Sequence, residues 1–174
     1  MNEIVNGTSV SDHRIKIFCA GGTIDKIYFD SKNTYEVGEP QVEDILKEAA
    51  IHFDYDIESI LSKDSLDMTD ADRRLIFRKV SHDKASRIII THGTDTMVET
   101  ARHLVPIQEK TIVLTGSLSP ARFKASDASF NIGSAVIAVQ TLPAGVYIVM
   151  HGIIYNPGRV RKNMKKNCFE KIGK

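Results

Sequence analysis

Apolar and polar residues alternate along this chain in two distinct rhythms. Four short runs are almost continuously apolar and rich in β-branched residues: Ile15 to Cys19, Ile88 to Ile90, Ile112 to Leu114 and Val146 to Met150. Strands that read this way are buried on both faces, as in a parallel sheet. Tyr55 to Leu61 alternates instead and predicts a half-buried or edge strand. Between the runs the rhythm lengthens to that of a helix. Val42, Ile45, Leu46 and Ala49 share one helical face, with Pro40 at the helix start. Asp70 to Val80 follows Thr69, and Thr69 with Asp72 makes a capping arrangement. Met97, Val98, Ala101, Leu104 and Val105 form a stripe that stops before Pro106. Ala128, Ile132, Ala135, Val136 and Val139 form another, which stops before Pro143.

Strands alternating with helices predict an α/β fold, a three-layer sandwich around a mostly parallel sheet. Residues 1–13 read as a disordered or extended tail and 14–174 as a single domain, with no repeat or linker dividing it. Asp25 to Gly38 is polar, with Tyr28, Phe29 and Tyr35 interspersed, and predicts a hairpin or a mobile loop. Arg159 to Lys174 carries Arg159, Arg161, Lys162, Lys165, Lys166, Lys171 and Lys174, and predicts a solvated terminal helix.

Composition narrows the function classes. A chain of 174 residues can bury an ordinary core. Hydrophobic residues at 42% and charged residues at 26% exclude wholesale disorder. Lys and Arg number 23 against 22 Asp and Glu, so the basic excess of a nucleic-acid-binding surface is missing. Two cysteines, Cys19 and Cys168, make no disulfide framework, and Cys19 reads as a core thiol. No apolar run approaches the roughly 18 residues of a membrane span. Residues Met1 to His13 lack the basic start and apolar stretch of a secretory signal. The expected setting is cytoplasmic, with neither nucleic acid nor membrane as a partner.

In open α/β sheets ligands bind beyond the carboxyl ends of the strands. Ala20-Gly21-Gly22-Thr23-Ile24-Asp25 follows the first run, and Thr91-His92-Gly93-Thr94-Asp95-Thr96 the second. Thr115-Gly116-Ser117-Leu118-Ser119-Pro120 follows the third, and His151-Gly152 the fourth. Glycines let the backbone approach a ligand, and the hydroxyls are nucleophiles or hydrogen-bond partners. Gly-Gly-Thr after a strand also suits a phosphate at a helix N-terminus. However, the chain has neither G-x-G-x-x-G nor G-x-x-x-x-G-K-[ST], and no G-x-S-x-G. The six histidines show no metal-ligand spacing, so neither a metal nor a cofactor is expected. His92 and His151 each precede a glycine at a strand end, where a direct role and a structural hydrogen bond are both open.

Ala20-Gly21-Gly22-Thr23-Ile24 and His92-Gly93-Thr94-Asp95-Thr96 resemble the two signature segments of bacterial-type L-asparaginases and glutaminases. Tyr35-Glu36-Val37-Gly38, Asp64 to Asp70, Gly116 to Pro120, Ser126-Asp127, Phe130-Asn131 and Gly158-Arg159 followed by Lys162 resemble further family segments in the same order. The resemblance implies the fold of the family's N-terminal domain. It also implies hydrolysis of L-asparagine or a related small amide to the acid and ammonia through threonine nucleophiles. Thr23, Tyr35, Thr94, Asp95 and Lys162 match the catalytic positions, and Ser65 the position that takes the substrate α-carboxylate. Thr94 and Asp95 also match substrate-binding positions.

These roles are chemically consistent. A threonine hydroxyl is a poor nucleophile unless a neighbour takes its proton. Tyr35 is the partner implied for Thr23; its phenol, ordinarily titrating near pH ~10, needs nearby cations or donors to serve as a base. Lys162, partly desolvated, suits a base for Thr94, with Asp95 holding it or binding an α-amino group. Backbone N–H groups at the two glycine turns suit an oxyanion hole.

Two departures stand out. Leu66 occupies the place of the family's usual glutamine, and the chain ends at Lys174, where a smaller C-terminal domain usually begins. That domain donates a glutamate to a neighbouring subunit's site, so the expected activity is weak or directed at amides without an α-amino group. The competing reading is a catalytically silent module that binds a small amino acid or carboxylate. A third is a subunit whose site another polypeptide completes. Surface bared by a missing domain predicts a homo-oligomer, a dimer or tetramer.

Overall fold

The computed structural model describes residues 14–29 and 33–173. The expected tail, residues 1–13, lies outside them. Strand β1 (Ile15–Gly21) runs through a 3-10 turn (Thr23–Asp25) into a hairpin of β2 (Lys26–Phe29) and β3 (Thr34–Val37). Helix α1 (Val42–Glu48), strand β4 (Tyr55–Lys63), a turn at Ser65–Asp67 and helix α2 (Asp70–His82) follow. Next come β5 (Arg87–Thr91), α3 (Met97–Leu104), β6 (Thr111–Thr115), α4 (Ala128–Thr141), β7 (Gly145–Met150) and β8 (Ile153–Tyr155). A 3-10 turn (Pro157–Arg159) then leads into a hairpin of β9 (Val160–Asn163) and β10 (Cys168–Lys171).

The central sheet has six strands in the order β4-β1-β5-β6-β7-β8. The first five are parallel, and β8 returns antiparallel beside β7. The period of two sorts each strand's side chains onto both faces. Phe18, Ile90, Leu114 and Ile148 stand in register on one face, in a core with Ile76 and Val80 of α2 and Met97, Ala101 and Leu104 of α3. Ile17, Ile89 and Val113 stand on the other, packed with Val42, Ile45 and Leu46 of α1 and Ile132, Ala135 and Val139 of α4. Helices therefore cover both faces, which is why the strands read as unbroken apolar runs. Cys19 lies in the second core, and burial pushes its thiol up to about 12.

Local chemistry explains the ends. Thr69 caps α2 by accepting from the Asp72 N–H, while the Asp72 carboxylate accepts from the Thr69 N–H at 2.8 Å. Helix α1 begins at Val42 with Gln41 as its cap, so Pro40 precedes the helix rather than opening it. Strands β1 and β4 each run two residues beyond the expected ends at Cys19 and Leu61, through Ala20-Gly21 and Ser62-Lys63.

The basic tail is not the expected solvated helix; it is the β9–β10 hairpin. Val160 and Phe169 are buried in the core, and Arg161 stands opposite Glu170 with a 2.9 Å ion pair. Asn167, at φ +47, takes the left-handed conformation in the connecting turn. A buried Val160 also turns Lys162 inward, because residues two apart in a strand share a face.

Candidate active site

The first two glycine segments meet because the strands that carry them are parallel neighbours. Gly21 ends β1 and Gly22 follows it, with φ of +84 and +95, a conformation other residues rarely adopt. A Cβ on Gly22 would lie 2.3 Å from the Gly93 nitrogen, so the two backbones are in direct contact. Thr23 and Thr94 follow these two glycines, so the turns that carry them are adjacent. A Cβ on Gly93 would in turn lie 2.6 Å from Ser65 Oγ, which brings the buried Ser65 to the same place from the end of β4. The Thr96 hydroxyl donates to the Ser65 carbonyl at 2.8 Å and ties this turn to the next.

Lys162 reaches the same edge from β9. Its Nζ donates to Thr94 Oγ1 at 3.2 Å and to Asn167 Oδ1 at 2.7 Å, and lies 5.2 Å from the Phe169 ring centre. Burial lowers its pKa from the ordinary lysine value, while the charges of Asp95, Cys168 and Asp127 oppose that shift. Arg102 of α3 holds the approach to β9, donating to the carbonyls of Pro157 at 2.9 Å and Val160 at 3.0 Å.

Thr23, Ser65, Thr94, Asp95 and Lys162 are thus gathered at the carboxyl edge of the sheet. Tyr35 is not among them. It is 47% exposed on β3, packed on Tyr28 at 5.3 Å and Phe123 at 5.9 Å, and no hydrogen bond joins it to Thr23. Of the two forms expected for this segment, the structure shows the hairpin, with Tyr28 opposite Tyr35. Leu66, beside Ser65, is 65% exposed and makes no amide contact of the kind a glutamine would offer.

The two strand-end histidines separate. His92 is fully buried, with Nδ1 2.7 Å from the Gly93 carbonyl and Nε2 2.8 Å from Thr100 Oγ1. A carbonyl only accepts, so Nδ1 carries the proton and Nε2 accepts from Thr100. Burial pushes its pKa down to about 4, which leaves a neutral structural group bracing the Gly93 turn. His151 is exposed and instead meets Asp127, with Nε2 2.8 Å from Oδ2. Of the two roles left open for His151, the structure shows the hydrogen bond; Asp127 and Asn167 are residues to which the sequence assigned no individual role.

The family model for the N-terminal region of asparaginases matches residues 14–172. The chain belongs to the asparaginase family. L-asparaginase 2 of Escherichia coli (strain K12) is 30% identical over 173 residues, covering 90% of this chain and 48% of that protein. A glutamyl-tRNA(Gln) amidotransferase chain from Methanococcus vannielii is 47% identical over 72 residues, covering 40% of this chain and 17% of that one. The solved thermostable L-asparaginase from Thermococcus kodakarensis superposes with a TM-score of 0.77 at 28% identity, covering 91% of this chain and 51% of that one. This asparaginase-family chain therefore spans about half the length of the asparaginases it matches. Among its described residues, no helix is long and apolar enough to cross a membrane.

Proposed function

We propose that the protein hydrolyses L-asparagine or a related small amide to the acid and ammonia. What supports this reading is the backbone contact of Gly22 and Gly93, the residues that precede Thr23 and Thr94, together with the hydrogen bond from Lys162 to Thr94. Thr23 Oγ adds to the amide carbon, and its proton passes through Thr94 to neutral Lys162. Lys162 returns the proton to the amide nitrogen as the C–N bond breaks and ammonia leaves. Water then attacks the acyl-threonine through the same relay, releasing the acid and restoring Thr23. Turn N–H groups hold the oxyanion in both steps. Ser65 binds the substrate carboxylate, and Asp95 steadies Lys162. Tyr35 enters when the hairpin closes over bound substrate.

A second reading is favoured by the match to an amidotransferase chain and by exposed Leu66. In it the same centre works as one part of a larger enzyme and is weak or silent alone. We also assign the chain to a homo-oligomer. A groove of about 580 Å³ along α4 exposes Phe130, Ile137 and Ile154. Helix α4 carries no charged residue, so two copies of this face meet without repulsion.

Ammonia release from asparagine, glutamine and succinamate separates the readings. Turnover of one or more amides supports the hydrolase. Tight binding of aspartate with no turnover of any amide supports the silent module.

A further inference from the structure

The β9–β10 hairpin holds the amine of Lys162 from more than one side. Lys162 stands opposite Phe169 in the ladder, and its Nζ lies 5.2 Å from the centre of that ring. Nζ donates to Thr94 Oγ1 at 3.2 Å and to Asn167 Oδ1, in the hairpin turn, at 2.7 Å. The shorter bond is made to a residue that the scheme above leaves without a role. Among the described residues these two are the hydrogen-bond partners of Nζ; Asp95, Cys168 and Asp127 act on it through charge alone.

The turn is built to keep Asn167 in place. The Lys166 N–H donates to Asn163 Oδ1 at 3.0 Å, and Asn163 Nδ2 donates to Glu170 Oε1 at 2.8 Å. Arg161 pairs with the other oxygen of Glu170 at 2.9 Å. Asn167 itself sits at φ +47, in the left-handed region that Asn tolerates better than most residues. Glycine would fit that backbone with less strain, but it carries no acceptor.

A neutral amine has two N–H groups and a lone pair. Tying one N–H to Asn167 leaves the lone pair for the hydrogen of the Thr94 hydroxyl. Once that proton has passed, the ammonium donates to both oxygens, which is the arrangement seen here. Without the tie, the long flexible stem of a lysine is free to swing its charge into solvent.

We propose that Asn167 is a positioning residue of this site: from the hairpin turn it holds the Lys162 amine within hydrogen-bond reach of Thr94. The proposal rests on the amide-hydrolase reading for what Lys162 does there, and it gives Asn167 no part in binding substrate.

The test is the rate at which Lys162 of the full chain is acetylated by acetic anhydride at about pH 8, where an ordinary lysine is mostly protonated. Mass spectrometry reads each lysine separately, with exposed Lys47 of α1 as the internal reference. Asn167→Gly suits the turn and removes the acceptor. Lys162 is then freed and less favoured as an ammonium, so its rate is expected to rise by about threefold or more. Asn167→Asp keeps Oδ1 and adds a charge that holds the ammonium more strongly, so the rate is expected to fall below that of the wild type. Mere loosening of the hairpin would raise the rate in both variants, so the opposite signs separate positioning from a structural role. Folded variants in which Lys162 reacts at the wild-type rate, or in which both rates rise alike, overturn the proposal. Where the wild type releases ammonia from asparagine, Asn167→Gly is also expected to lower the plateau kcat by about tenfold with KM little changed. No ammonia release from the wild type counts against the hydrolase reading, and the acetylation rates still decide whether Asn167 holds Lys162.

Discussion

Gly22 and Gly93 touch backbone to backbone, so close that a Cβ on Gly22 would sit 2.3 Å from the Gly93 nitrogen and 2.4 Å from its Cα. Neither backbone is a flexible side-chain end that can step aside. The contact sets the distance between the two threonine turns, and any side chain at Gly22 must spread them. Gly22→Ala is also strained at φ +95. It is expected to lower stability by more than about 2 kcal/mol, measured by urea unfolding. Gly133→Ala is the matched control. That glycine lies inside α4, where a Cβ meets nothing within 4 Å, so it is expected to stabilise by about 0.5–1 kcal/mol.

Lys162 must be neutral to accept a proton, so the rate should rise with pH as its ammonium is lost. Burial lowers the Lys162 pKa, which places this rise below the ordinary lysine value of 10.5. Asn167→Ala removes one direct partner of Nζ and leaves the Thr94 contact in place. The amine is then less stabilised as an ammonium, and the limb should move to lower pH. A pH profile of ammonia release checks both statements; a limb moving to higher pH in the variant would contradict them.

Asp25 lies at the base of the hairpin that carries Tyr35. It is buried, its Oδ1 accepts the Gln41 N–H at 2.9 Å, and burial raises its carboxyl from 3.8 to about 6. Because the folded value is the raised one, the cost of the charge is absent below about pH 4, grows from there to about pH 6 and is complete above it. Asp25→Asn keeps an acceptor for Gln41 and removes the charge. It should stabilise the protein by up to about 3 kcal/mol at pH 8 and by little at pH 4. Thermal unfolding at the two pH values measures the difference.

The sheet was legible because both of its faces are buried: Ile88 to Ile90 and Ile112 to Leu114 have no polar residue to break the run. The capping box of α2 was legible for a local reason, since Thr69 and Asp72 are three residues apart. The β9–β10 hairpin was not, because its cations mask the alternation of inward Val160 and Lys162 with exposed Arg161, and only the core shows which face turns inward. Thr23, Thr94 and Lys162 were named from motif resemblance, but the Gly22–Gly93 contact between residues 71 positions apart and the Lys162–Thr94 hydrogen bond are in no local pattern. Ser126-Asp127 was named as a family-like segment, but the hydrogen-bond network of Asp127 was not legible for the same reason: its partners Leu118, Asn131 and His151 come from three segments. Tyr35 shows the reverse case. Its motif context pointed to Thr23, while its ring lies on Phe123.

Leu66 follows Ser65 and is exposed, so replacing it perturbs no core. Leu66→Gln supplies an amide able to meet an α-amino group. It should raise the ratio of kcat/KM for asparagine over succinamate by roughly 10-fold, within the range one added recognition contact gives. Parallel kinetics on the two amides check this, and an unchanged ratio would place α-amino recognition elsewhere.

The most direct test of the central claim is steady-state ammonia release from L-asparagine by the wild type, Thr23→Ala and Lys162→Met, with circular dichroism confirming that each is folded. Hydrolysis by the wild type is expected, with each variant slower by about 10²-fold or more. Folded variants that release ammonia at the wild-type rate would contradict the assignment of Thr23 and Lys162 to the chemistry.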